Sequence, residues 1–198
     1  CDEPTEGCVR IVGADYRTRC QHWLHSALGY VLLTPHRFSG TIADNIRFAR
    51  PDAPMEDVVR AAKLCAAHDF IAALPQGYDT QVGEGGGRLS TGQKQLVCFA
   101  RVLVADPRIF VLDEATSSID TETEQLIQNA IHTVLKGRTS FVVAHRLSTV
   151  RTADKILVID AGRIAEAGTH DELMAQKGRY YSLYTHQYRS EAQRAFRA

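Results

Sequence analysis

Two arrangements of apolar residues alternate along the chain. Tyr30-Val31-Leu32-Leu33, Ile109-Phe110-Val111-Leu112 and the run from Thr139 to Ala144 are short and read as buried strands. Between and after them, Val58, Val59, Ala62 and Leu64, and then Leu126, Ile127, Ala130, Ile131, Val134 and Leu135, recur at helical spacing. A further strand is expected at about residues 8–12, followed by a turn at Gly13-Ala14-Asp15 and a helical stretch from about Thr18 to Ala27. A mainly helical region should run from Ser39 to Leu74, with a turn over 75–79 and a flexible glycine-rich loop over 83–87. The next helix starts near Ser90 and stops at Asp106-Pro107. Thr121-Glu122-Thr123-Glu124 and Thr169-His170-Asp171-Glu172 read as helix starts, and Asp160-Ala161-Gly162 as the turn of a hairpin. The charged stretch 188–198 is expected to be disordered. Strands alternating with amphipathic helices imply an α/β fold: a parallel sheet covered by helices on both faces, with a helix-rich insert at about 39–105.

With 198 residues the chain is long enough for one sizeable core. Lys and Arg total 23 and so do Asp and Glu, so the charge balance gives no support for a nucleic-acid partner. No apolar run approaches the roughly 20 residues that span a bilayer. The longest, Leu96 to Ala105, is interrupted by Arg101. The five cysteines are odd in number and lack a C-x-x-C spacing, which fits reduced thiols. Cys20, His22 and His25 have no matching distal pair for a zinc site.

The chemistry-bearing residues concentrate between 89 and 145. Asp113-Glu114 ends an apolar strand, where carboxylates must emerge into a crevice. One of them can anchor Mg²⁺ while the other polarises water; the alternative is a cap for the next helix. His145 closes the next strand-like run, where it could meet the same ligand or be an ordinary strand-end histidine. Ser90 to Gln93 fits a capping box, but Gly92 inside the first helical turn also suits close approach of backbone N–H groups to a phosphate.

Together these segments resemble the ATP-binding cassette (ABC) family from Pro4 to about Tyr184. Leu89-Ser90-Thr91-Gly92-Gln93 resembles its signature motif, and Ile109 to Glu114 its Walker B strand with the catalytic glutamate. Ser117-Ser118-Ile119-Asp120 resembles the D-loop and His145 the switch histidine. Thr80-Gln81-Val82-Gly83-Glu84 is similar to the X-loop of exporters, and Phe38-Ser39-Gly40-Thr41-Ile42 to the segment after their Q-loop, in the region that docks onto the membrane domain. The resemblance implies a P-loop NTPase-like sheet with a helical subdomain at about 39–105, within an ATP-binding domain reaching residue 187. It implies an ATPase that drives export, acts with Mg²⁺, pairs with a second nucleotide-binding domain and sits against a transmembrane domain at the cytoplasmic face. Asp113 would then serve Mg²⁺, Glu114 the lytic water and His145 the γ-phosphate. Ser90, Gly92, Gln93 and Asp120 would bind nucleotide, the first three of these touching ATP held by the partner.

The chain departs from the family pattern at several points, among them Arg37, where the family usually carries an apolar residue. G-x-x-x-x-G-K-[ST] occurs nowhere in it, and the family's P-loop strand is expected upstream of the Asp2–Gly7 turn. Leu33 stands where the family carries the Q-loop glutamine. The chain alone is therefore expected to be inactive, and an apolar slot is expected beside 139–144 or 156–159. The competing reading is a non-catalytic cassette that lends its signature motif to an intact partner.

Overall fold

The computed structural model describes residues 4–11, 13–18, 27–32, 39–113, 121–144 and 147–195. They fall into two compact units, Cys1–Val143 and Ala144–Ala198, a division that no Pro- or Gly-rich linker announces.

The first unit opens with a small antiparallel hairpin of β1 (Arg10–Ile11) and β2 (Ala14–Asp15) turning at Gly13. The expected turn at 13–15 therefore contains a second short strand. The main sheet is β3 (Leu28–Leu32), β4 (Ile109–Asp113) and β5 (Thr139–Val143), in that order and wholly parallel. Its rows are in step: Tyr30, Val111 and Phe141 lie side by side, as do Leu32, Asp113 and Val143. Because side chains alternate between faces, Phe110 and Leu112 point one way and Tyr30, Val111, Asp113, Phe141 and Val143 the other. Phe110 and Leu112 are buried in one core with α4 (Thr91–Ala105) and α5 (Thr121–Leu135), which contribute Leu96, Phe99, Ile127 and Ile131.

The opposite face departs from the expectation of a sheet covered on both sides. Tyr30, Phe141 and Val143 are 54%, 60% and 56% exposed, so no described element covers them. On the packed side the fit is tight. A Cβ on Gly29 would lie 2.4 Å from the Pro107 ring and 2.7 Å from a Val102 methyl. Gly29→Ala should therefore destabilise the first unit by about 1–3 kcal/mol, measured as a lowered denaturation midpoint. An unchanged midpoint would refute this overpacking argument.

Three helices fill the 39–74 region: α1 (Ile42–Arg47), α2 (Met55–Leu64) and α3 (His68–Ala72). They bury Ile42, Ile46, Val58, Ala62 and Ile71 in the same core as Phe99. Helix α1 is fixed at its start by a capping box. Thr41 Oγ1 accepts from the Asp44 N–H at 3.0 Å, and Asp44 accepts from the Thr41 N–H at 2.9 Å. The Thr41 hydroxyl and N–H together hold the Asp44 carboxyl below the usual carboxylate range. The glycine-rich loop, expected to be flexible, is a tight 3-10 turn over Glu84–Gly86, with Gly83, Gly85 and Gly86 at positive φ. Cys65 and Cys98 are buried free thiols, raised above the ordinary thiol range by desolvation.

The second unit contains α6 (Leu147–Arg151), β6 (Ile156–Asp160), β7 (Arg163–Gly168), α7 (His170–Gln176) and α8 (Arg179–Ala195). β6 and β7 form the expected hairpin. Ala161 and Gly162 both have positive φ, as a two-residue primed turn requires. Thr169 caps α7 in a box with Glu172, also as expected. Val158, Leu173 and Tyr180 make the unit's own small core. The Glu166 carboxylate accepts from the backbone N–H groups of Arg179 and Tyr180, which satisfies the start of α8. That helix continues to Ala195, so the expected disorder from residue 188 is corrected. Glu191, Ala192, Gln193, Arg194 and Ala195 are good helix formers with no Gly or Pro among them, so a helix already nucleated by packing propagates through them.

Candidate nucleotide site

Strand register builds the first half of the site. Leu32, Asp113 and Val143 stand in one row at the carboxyl ends of three adjacent parallel strands, where open α/β sheets receive ligands. Neighbouring strands are about 4.8 Å apart, so the three chain exits share one rim of about 10 Å. Asp113 is the last residue of β4 and half-buried, on the row opposite to the buried Phe110 and Leu112. The next residue in sequence is Glu114, and His145 follows Val143 by two positions. Glu114, His145 and Asp120 themselves lie outside the described residues, as do Leu33, the Cys20/His22/His25 cluster and the rest of the D-loop-like segment.

Ser90, Gly92 and Gln93 form the second half, at the start of the 15-residue helix α4. Ser90 Oγ accepts from the Gln93 N–H at 3.2 Å, and Gln93 Oε1 accepts from the Ser90 N–H at 3.0 Å. The capping reading of this motif is thus realised. It does not compete with phosphate binding, because a helix start leaves four N–H groups without intrahelical partners and this box uses two of them. Ser90 and Thr91 are exposed at the helix start, so it presents two hydroxyl-bearing residues at the surface, while Gly92 in the first turn is buried.

Behind this helix start, two segments are stitched together. Thr41 and Gln81 form an antiparallel bridge, flanked by Ile42 N–H to Thr80 O and Val82 N–H to Gly40 O, both at 3.0 Å. Arg88, two residues before Ser90, donates its N–H to Val82 O at 3.2 Å. The segments around Gly40–Ile42 and Thr80–Val82 therefore meet each other, and Val82 meets Arg88, the residue just before Leu89. Asn45 and Arg101, which no sequence motif singles out, join beside these segments. Asn45 is 4% exposed, and Arg101 Nε donates to its carbonyl at 2.8 Å.

The donor set suits its ligands. Among the described residues no group of three or more His, Cys, Asp or Glu forms a metal cage. One strand-end carboxylate is nonetheless what Mg²⁺ asks of a protein when phosphates and water fill the other positions. Among the described residues no helix is long and apolar enough to cross a membrane.

Comparison with known proteins places this geometry. A family model described as ABC transporter matches residues 2–117, more than half of the 198. An uncharacterised ABC transporter ATP-binding protein of Bacillus subtilis, YknV, is 50% identical over 182 residues, 92% of this chain and 30% of its own length. P-glycoprotein 14 of Caenorhabditis elegans is 45% identical over 91% of the chain, which spans 14% of that protein. A solved bacterial Atm1-family ABC exporter with ATP bound superposes with a TM-score of 0.85 at 46% identity, covering 93% of this chain and 32% of that one. The chain thus spans about a third or less of the relatives it matches. With the fold, the order of motifs and the family match in agreement, the chain belongs to the ABC transporter family, its sequence being that of an exporter-type nucleotide-binding domain.

Proposed function

We propose that this chain is the ATP-binding and ATP-hydrolysing part of an ABC exporter, working at the cytoplasmic face against a transmembrane domain that selects the substrate. Its partner is a second nucleotide-binding domain, identical or different. The observation that carries this reading is the single row of Leu32, Asp113 and Val143, which delivers the residues leading into Glu114 and His145 to one rim. Asp113 holds Mg²⁺, which when bound neutralises charge on the phosphates. Glu114 accepts a proton from the attacking water, and His145 donates to the terminal phosphate. Ser90, Gly92 and Gln93 offer the helix start to ATP held by the partner, and Asp120 lines the same interface.

A second reading is favoured by one sequence fact: the 198 residues contain no G-x-x-x-x-G-K-[ST]. Without that loop the β- and γ-phosphates lack their main anchor, and the chain contributes only its signature face to an intact cassette. Mixing experiments separate the two. Phosphate release is measured for the chain alone, for a Walker A-competent exporter cassette alone, and for both together. The chain alone should be silent and the mixture should exceed the competent cassette. Micromolar ATP affinity with Glu114-dependent turnover by the chain alone would overturn the need for the loop. A mixture no faster than the competent cassette would overturn the signature role.

A further inference from the structure

We infer that Arg101 is a positioning residue that closes a ring of hydrogen bonds and thereby sets where the signature end of α4 stands. The ring runs as follows. Arg101, on the far half of α4, sends Nε to the Asn45 carbonyl at 2.8 Å and Nη2 to Asn45 Oδ1 at 3.2 Å. Asn45 passes the link on: its Nδ2 donates to Ser39 O and Thr41 O, both at 2.7 Å. Thr41 is bridged to Gln81, and Gly40 O takes the Val82 N–H. Val82 O takes the Arg88 N–H, and the chain then enters α4 through Leu89 and Ser90. Arg101 is thus connected to the start of its own helix by a second path, through α1 and the 80–88 loop.

Charge and burial make this junction specific. A guanidinium presents a planar fork that can serve the backbone and side-chain oxygens of one residue together, which an ammonium cannot do with the same geometry. Asn45 is 4% exposed, so its amide must use both ends inside the protein, accepting from Arg101 and donating to Ser39 and Thr41. The guanidinium carbon also lies 5.0 Å from the centre of the Phe48 ring, which is 63% exposed. Phe48, three residues after Asn45, thus lies against the cation on its outer side. This inference extends the proposed function, in which the Ser90 end of α4 meets the partner's ATP.

Amide hydrogen exchange on the full chain tests the ring without reference to ATP turnover, so its failure and that of the proposed function are distinguishable. Arg101→Lys keeps the charge and much of the packing but loses the fork. Exchange should rise roughly tenfold at the Ile42, Val82 and Arg88 amides, while the amides of the β6–β7 hairpin stay unchanged. Asn45→Asp keeps an acceptor for Arg101 and removes the Nδ2 donor. It should raise exchange at Ile42 and Val82 without loosening the middle of α4. Uniform acceleration across both units, or no change at Ile42 and Val82 in both variants, would overturn the ring. Full protection in Arg101→Lys would show that charge alone suffices and would likewise overturn it.

Discussion

Ser90→Asp should leave the chain as stable as before and lower the ATP hydrolysis it supports in a partner cassette roughly a thousandfold. The two halves of this result have separate causes. Asp is as good an N-cap as Ser, so the bond from the Gln93 N–H persists, and a carboxylate at a helix start adds about 0.3–1 kcal/mol of favourable dipole interaction. The same negative charge would face the partner's triphosphate. At about 4 Å and an effective dielectric near 20, each pair of unit charges repels by about 4 kcal/mol, which is about three orders of magnitude in binding. Ser90→Ala provides the contrast: it removes the cap and lowers stability by about 1 kcal/mol, with no added repulsion. Thermal unfolding and phosphate release measured on the same three proteins decide the matter. Activity that follows stability across the series would make Ser90 a cap and nothing more.

Most of what locates the site was legible because it rests on local rules. The apolar run ending in Asp113, the Ser90–Gln93 box, the Asp106-Pro107 stop and the Ala161-Gly162 turn each depend on a few neighbouring residues, and each appears where the pattern puts it. Strand register was not legible. Nothing in 28–32, 109–113 or 139–143 specifies that Leu32, Asp113 and Val143 share a row, yet that row is what makes a rim out of three separate strand ends. Arg101 was visible only as an interruption of an apolar run. Its meaning needs Asn45, 56 positions away in sequence, and the fold brings the two together because α1 packs on α4. The shape of the glycine loop was not legible either: composition speaks only of freedom, whereas Gly83, Gly85 and Gly86 at positive φ make one compact turn. The helix to Ala195 shows the converse, since charge suggested a solvated tail while intrinsic helix propensity favoured continuation.

The sheet's two faces yield the other large effect, a contrast between two phenylalanines. Phe99 is fully buried on α4, and Phe99→Ala should destabilise the first unit by about 3–5 kcal/mol, a large part of the 5–15 kcal/mol typical of a whole domain. Phe141 is 60% exposed on β5, so Phe141→Ala in the 198-residue chain should stay within about 0.5 kcal/mol. Chemical denaturation of both variants measures this directly. The comparison becomes informative when the same two changes are placed in a longer polypeptide that carries a G-x-x-x-x-G-K-[ST] loop upstream. If the face that carries Tyr30, Phe141 and Val143 is a surface built to be covered, Phe141→Ala should then become a core truncation and approach the Phe99 value. A Phe141 effect that remains negligible in the longer protein would mean that this apolar face is left to solvent.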